Sequence, residues 1–135
     1  MRLRPTISFL LAFVFGLLLT GCVRTPILPP VTQQTNAGMT VALTSSSPHT
    51  GDNTVSIMVT DASTKSPVGN ANVAATAEMV SPRLPGTKVS GRAQGNGLYN
   101  IPLRLGVATR YNLTLHIQRP GQPTATVVFP IEAAE

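Results

Sequence analysis

Most of the sequence consists of short runs in which apolar and polar residues alternate, separated by turn-forming residues. In the clearest run, 111–118, Leu113, Leu115 and Ile117 alternate with polar residues. Because successive side chains of a β-strand point to opposite faces, this pattern predicts a strand with one buried face. The sequence predicts seven strands, at 39–44, 54–60, 68–79, 88–94, 98–103, 111–118 and 124–131.

Seven short strands with frequent Gly, Pro and Asn between them predict an all-β fold, a single immunoglobulin-like antiparallel β-sandwich over residues 39–135. Gly95-Asn96-Gly97 indicates a hairpin, because Gly and Asn tolerate the positive φ of a tight turn. Pro102 has no N–H to donate to a ladder, so we expect its strand at a sheet edge or near a bulge.

The alanine-rich stretch 68–79 also admits a helix. Gly69, Asn70 and Asn72 stand at its start and leave only a short segment with good helix propensity. We therefore expect a strand there, with Val73 and Met79 among the residues on its buried side.

The first 21 residues have the pattern of a removable export signal. Arg2 and Arg4 precede an apolar run at 7–19. The run fits the roughly 7–15 apolar residues of a signal peptide and is shorter than the roughly 20 of a transmembrane helix, which is the alternative. We predict a signal peptide at 1–21.

The residues after this run, Leu19-Thr20-Gly21-Cys22, resemble the lipobox of bacterial lipoproteins. The resemblance implies cleavage before Cys22, lipid attachment to its sulfur and often acylation of its new amino group. Cys22 is the only cysteine, so no intrachain disulfide can form; the alternative is a chance thiol. In a host with two membranes, Val23 in place of an aspartate favours the outer membrane, facing the periplasm.

Residues 22–38 contain Pro26, Pro29 and Pro30 among Thr, Gln and Asn. This composition cannot bury itself and is typical of a tether. We expect it to hold the sandwich a few nanometres from its membrane.

Charge and aromatic content argue against nucleic acid as a partner. The formal net charge is +5, but the cations are scattered and favour a solvated surface over a nucleic-acid or headgroup patch. Three of the four phenylalanines precede Cys22, which leaves no aromatic platform for stacking bases.

The order of features resembles the YtkA-like domain, an immunoglobulin-like module of bacterial envelope proteins related to FixH-type domains. The matching residues, within 40–131, are Gly51-Asp52-Asn53, Ser66-Pro67-Val68, Asn70-Ala71-Asn72-Val73, Met79 before a Pro/Gly loop, and Gly95-Asn96-Gly97-Leu98-Tyr99. Such domains often accompany copper or heavy-metal systems and have a methionine-rich loop. Here Leu84 and Thr87 stand where further methionines are expected, and the usual tryptophan is missing.

Thioether and imidazole ligands suit copper. Met58, Met79 and His116 are the candidate ligands, although none lie at a short ligand spacing. The alternative is that the methionines fill gaps and the histidine is solvated.

No nucleophile elbow or paired carboxylates are present, and His49 and Asp52 lie in a polar, serine-rich stretch. We therefore expect no enzyme, with an envelope hydrolase as a minor alternative. The sequence predicts a lipid-anchored envelope lipoprotein whose β-sandwich binds or scaffolds a partner protein through an edge strand or end loops. The main alternative is an accessory copper-binding domain.

Overall fold

The computed structural model describes residues 32–45 and 47–135, and all their regular structure is β. The strands are β1 (Gln33–Asn36), β2 (Met39–Ser45), β3 (Gly51–Asp61), β4 (Asn72–Met79), β5 (Lys88–Ser90), β6 (Arg92–Gly95), β7 (Leu98–Leu105), β8 (Arg110–Gln118) and β9 (Ala125–Glu132). The predicted all-β class is confirmed, and the helix alternative at 68–79 is wrong. Within the described part of the chain, no helix could cross a bilayer.

The strands form two antiparallel sheets that share one core. The first has the order β1-β2-β3-β7-β6 and the second β5-β4-β8-β9. Strands β8 and β9 alternate as their sequences predict: Leu113, Leu115, Ile117 and Phe129 are fully buried, and the polar residues between them face outward. The two inner faces therefore form the hydrophobic core.

The predicted strand at 88–94 is in fact two strands in different sheets. The chain leaves the second sheet after β5 and enters the first at β6, crossing at Gly91. The Gly91 N–H donates to the Val73 carbonyl at 2.8 Å, and a Cβ on Gly91 would lie 3.0 Å from the Val73 Cβ. The absence of a side chain at Gly91 permits this close crossing.

The second difference lies at β1, inside the predicted tether. Ala37 and Gly38 have φ of 45° and 75° and join β1 to β2 in a two-residue hairpin. Positive φ at both central residues is the pairing that suits the twist of a hairpin. Residues 33–36 of the predicted tether therefore pair as β1, and the part of the chain that the structure describes has nine strands where the sequence predicted seven. The signal peptide, Cys22 and the tether up to residue 31 lie outside the described residues.

Strand β1 also closes one side of the sandwich. The Gln34 side-chain amide donates to the Val128 carbonyl and accepts from the Val128 N–H at 3.3 Å. Asn36 Oδ1 accepts from the Thr126 N–H at 3.2 Å. These amides satisfy backbone groups on the outer edge of β9, where Pro130 has no N–H that needs a partner.

An ion pair joins the two sheets at the end of the sandwich where β3 and β8 finish. Arg119, just after β8, forms an ion pair of 2.9 Å with Asp61 at the end of β3. The Ser63 hydroxyl, the Thr64 N–H and Arg119 all donate to the Asp61 carboxylate and hold its pKa well below the usual range. The carboxylate therefore stays ionised at neutral and mildly acidic pH, where it keeps its ion pair with Arg119.

The connection between β3 and β4 is fixed from inside the core by Tyr99. Its hydroxyl donates to the Val68 carbonyl at 2.8 Å and accepts from the Ala71 N–H at 3.0 Å. Tyr99 is 1% exposed, and its bond to the Val68 carbonyl is buried.

We predict that Tyr99→Phe lowers the free energy of unfolding by about 1–3 kcal/mol, because it leaves a buried carbonyl without a donor. Tyr111→Phe removes a hydroxyl bonded in a part-buried setting and should cost less. Urea denaturation of both variants measures the difference. A wild-type midpoint for Tyr99→Phe would contradict this role.

Candidate functional site

Two of the predicted metal ligands lie on opposite sides of the sandwich. Met58 is on the outer face of the first sheet, where it is partly exposed and pairs with Ala42 and Leu98. His116 is exposed on the outer face of the second sheet, where its Nδ1 lies 3.1 Å from the Thr126 hydroxyl. The core separates the two side chains.

The third predicted ligand, Met79, is also remote from His116. Met79 pairs with Tyr111 and faces inward, whereas His116 pairs with Ala74 and faces outward. Met79 and Ala74, the partner of His116, are five residues apart on β4. At about 3.3 Å per residue, this separation is roughly 17 Å. The structure does not bring Met58, Met79 and His116 together. Among the residues it describes, no three His, Cys, Asp or Glu side chains form a potential metal cluster.

His49 and Asp52 have structural partners instead of each other. The Asn53 side chain accepts from the His49 N–H at 2.9 Å and donates to the His49 carbonyl at 2.7 Å. Asp52 lies 3.9 Å from Arg104 in an exposed ion pair. These contacts shape the start of β3 and do not assemble a nucleophile with a base.

The most developed concave feature is an apolar groove of about 560 Å³, which we call the end groove. It lies between the two sheets, next to the loop that joins β4 to β5. Its lining residues are Ala77, Met79, Leu84, Pro85, Gly86, Thr87, Val89, Leu103, Arg104, Gly106 and Tyr111.

The end groove exists because the two edge strands beside it are short. Strand β6 pairs with β7 only at Leu98–Asn100, and β5 pairs with β4 only at Ala74–Thr76. The last parts of β7 and β4 therefore have no strand partner on this side among the described residues. Ala77 and Met79 face inward here yet stay only partly buried. The small Ala77 side chain leaves room between the sheets.

The loop at 80–87 forms one wall of the end groove and is held against β4. Met79 and Leu84 exchange N–H to carbonyl bonds of 3.2 and 3.4 Å. A Cβ built on Gly86 would lie 1.9 Å from the Ala77 carbonyl oxygen. Only glycine allows the loop to approach the edge of β4 so closely.

The opposite wall presents unpaired backbone groups of β7. The Val59 N–H donates to the Gly97 carbonyl at 2.8 Å, so alternate residues from Gly97 to Leu105 direct their backbone groups toward β3. Pro102 and Arg104 direct theirs toward the open side. Strand β7 lies between β3 and β6 and is not an edge strand, but Pro102 belongs to its last part, which extends past β6. The Arg104 N–H and carbonyl face the same open side.

Comparisons with known proteins add no functional assignment. No protein-family model matches the chain, and no curated protein shows significant similarity to it. The resemblance to YtkA-like domains therefore stays a prediction.

Sequence reasoning missed the end groove. Its only local signals are Pro102, which marks an open edge, and Gly86 within a proline-rich loop. The groove itself depends on where β5 and β6 end, and those ends follow from the crossing at Gly91.

We predict that Gly86→Ala displaces the 80–87 loop and destabilises the fold by about 1–3 kcal/mol, the usual cost of forcing an atom into filled space. The matched control is Gly106→Ala, since a Cβ on Gly106 meets nothing within 4 Å and should leave stability nearly unchanged. Thermal unfolding compares the two variants. Equal melting temperatures would show that the loop does not rest on β4.

Proposed function

We propose that this protein is a non-catalytic lipoprotein of the cell envelope, anchored through Cys22, whose β-sandwich binds an extended segment of a partner protein in the end groove. The observation that carries the proposal is the unpaired edge of β7 beside an apolar groove of about 560 Å³. The anchor and the groove are supported by different observations.

The anchor is supported by the order of features around Cys22. A basic start and an apolar run lead to Leu19-Thr20-Gly21 and the single cysteine of the chain. Each buried methylene of an acyl chain contributes about 0.8 kcal/mol, so two or three chains attach a protein almost permanently. In a host with two membranes, Val23 supports the outer membrane, with the domain in the periplasm.

Strand order supports an immunoglobulin-like assignment for the sandwich. Without β1 and β5, the sheets read β2-β3-β7-β6 and β4-β8-β9, the A-B-E-D and C-F-G order of a constant-type domain. The Tyr111 hydroxyl near the start of β8 bonds the Val107 N–H and carbonyl four residues upstream. This contact matches the tyrosine corner of such sandwiches.

The two walls of the end groove offer an extended peptide two different kinds of contact. The Pro102 carbonyl and the N–H and carbonyl of Arg104 offer main-chain hydrogen bonds along an open strand edge, which is how β-strand addition gains affinity. Met79 and Val89 offer an apolar surface for alternate side chains of the bound strand. The segment would extend the line of β6 beyond its first residue, Arg92, which pairs with Asn100.

The same proposal includes a relationship to YtkA-like domains, supported by the turn and core residues given above. Met79, one of those residues, lines the end groove. It contributes a flexible apolar side chain there, which suits a surface that adapts to a peptide.

Site-specific photocrosslinking in living cells tests the binding site. A benzophenone amino acid replaces Thr87 on the groove rim or, as a control, Gln118 on the outer face of β8. We expect a crosslinked species of one defined mass from position 87 and none from position 118. Ala77→Leu should abolish that species by filling the groove, while the urea midpoint shows that the variant still folds.

Crosslinking of equal yield at both positions would contradict the proposed site. So would a product at position 87 that persists in a folded Ala77→Leu variant.

A further inference from the structure

Exposed apolar side chains are concentrated at one end of the sandwich. Among the described residues, four large hydrophobic side chains are exposed, and three of them, Val80, Leu84 and Val107, are 46%, 50% and 47% exposed. They lie in the β4–β5 and β7–β8 connections. We call these three residues the loop face.

Hydrogen bonds place the β4–β5 and β7–β8 loops side by side. The Val80 N–H donates to the Arg110 carbonyl at 3.0 Å. The Tyr111 hydroxyl accepts from the Val107 N–H at 3.2 Å and donates to the Val107 carbonyl at 3.0 Å. Tyr111 pairs with Met79, which bridges to Leu84. The three residues of the loop face therefore lie in neighbouring loops at the same end of the sandwich.

The first described residues run away from the loop-face end of the sandwich. The Thr32 carbonyl accepts from the Leu43 N–H at 2.8 Å, which continues the β1–β2 pairing to Thr32. Strand β1 runs in the same direction as β3, because both are antiparallel to β2. Strand β3 starts at the loop-face end, so the start of β1 is the end of that strand closer to the loop face.

We infer that the loop face rests on the surface of the lipid bilayer, with Val80, Leu84 and Val107 in the boundary between headgroups and acyl chains. The inference depends on the proposed anchor at Cys22. The chain from Cys22 to Thr32 spans roughly 36 Å at most, at about 3.6 Å per residue when fully extended. This short tether brings the loop-face end toward the membrane.

Because the proposed anchor keeps the domain near the membrane, a weak contact between the loop face and the lipid surface is sufficient. A short flexible linker gives an effective concentration in the millimolar range, so three aliphatic side chains need only modest affinity for the surface. Two nearby cations have exposed partners, Arg104 with Asp52 at 3.9 Å and Arg110 with Glu132 at 3.8 Å, whereas Arg83, between Val80 and Leu84, is exposed and forms no ion pair among the described residues. The three aliphatic side chains supply the contact, so zwitterionic lipid should support it.

A fluorescent label tests the orientation in the full chain, extracted from membranes and reconstituted in protein-free phosphatidylcholine vesicles. The variants are Leu84→Cys on the loop face and, as the matched control, Asn96→Cys in the β6–β7 turn at the other end of the sandwich. Brominated lipids should reduce emission from position 84 by about twofold or more, as expected for a group at the acyl boundary. Emission from position 96 should not change. Adding Val80→Ser and Val107→Ser should reduce the quenching at position 84.

Equal quenching at both positions, or none at position 84, overturns the inference. Emission at position 84 that shifts only in native membranes, without quenching in protein-free vesicles, also overturns it, because a protein then covers the loop face.

The mass of the labelled chain reports the state of the Cys22 anchor separately. A second label on Cys22 shows that its thiol is free and contradicts the proposed lipid attachment. The quenching is then measured in the Cys22→Ser variant.

Discussion

The burial of one face of each sheet against the other is the interaction on which the rest of the structure depends. The chain has a single cysteine, so no internal disulfide can replace that burial. Residues from both sheets, such as Ile57, Ile101, Leu115 and Phe129, are fully removed from water. The strict alternation along β7, β8 and β9 follows from this requirement, because a shift of one residue would turn each apolar set outward.

Two packed sheets leave unpaired strand edges, and these edges are covered to different extents on the two sides of the sandwich. On one side, Gln34 and Asn36 cover the edge of β9 with side-chain amides. On the other, β5 and β6 are too short to cover β4 and β7, and the end groove remains. The proposed binding site lies beside the loop face, so the two proposals together would place a bound partner close to the membrane surface.

Sequence alone predicted the elements whose signals are local. The alternation of β8 and β9 and the positive φ at Gly95-Asn96-Gly97 appear in the structure as expected. The hairpin before β2 was missed because alanine at position 37 gives little indication of positive φ. The end groove and the separation of Met58 from His116 depend on strand order and register. Period-two patterns identify the face of each strand but do not identify its neighbours.

The covalent state of Cys22 decides whether this protein is an anchored lipoprotein. Intact-mass spectrometry of the protein extracted from membranes measures it in one experiment. We expect a chain that begins at Cys22 and carries the mass of a diacylglycerol group, with or without a further acyl chain. A mass that retains residues 1–21, or a chain whose Cys22 is unmodified, would contradict the anchored-lipoprotein account.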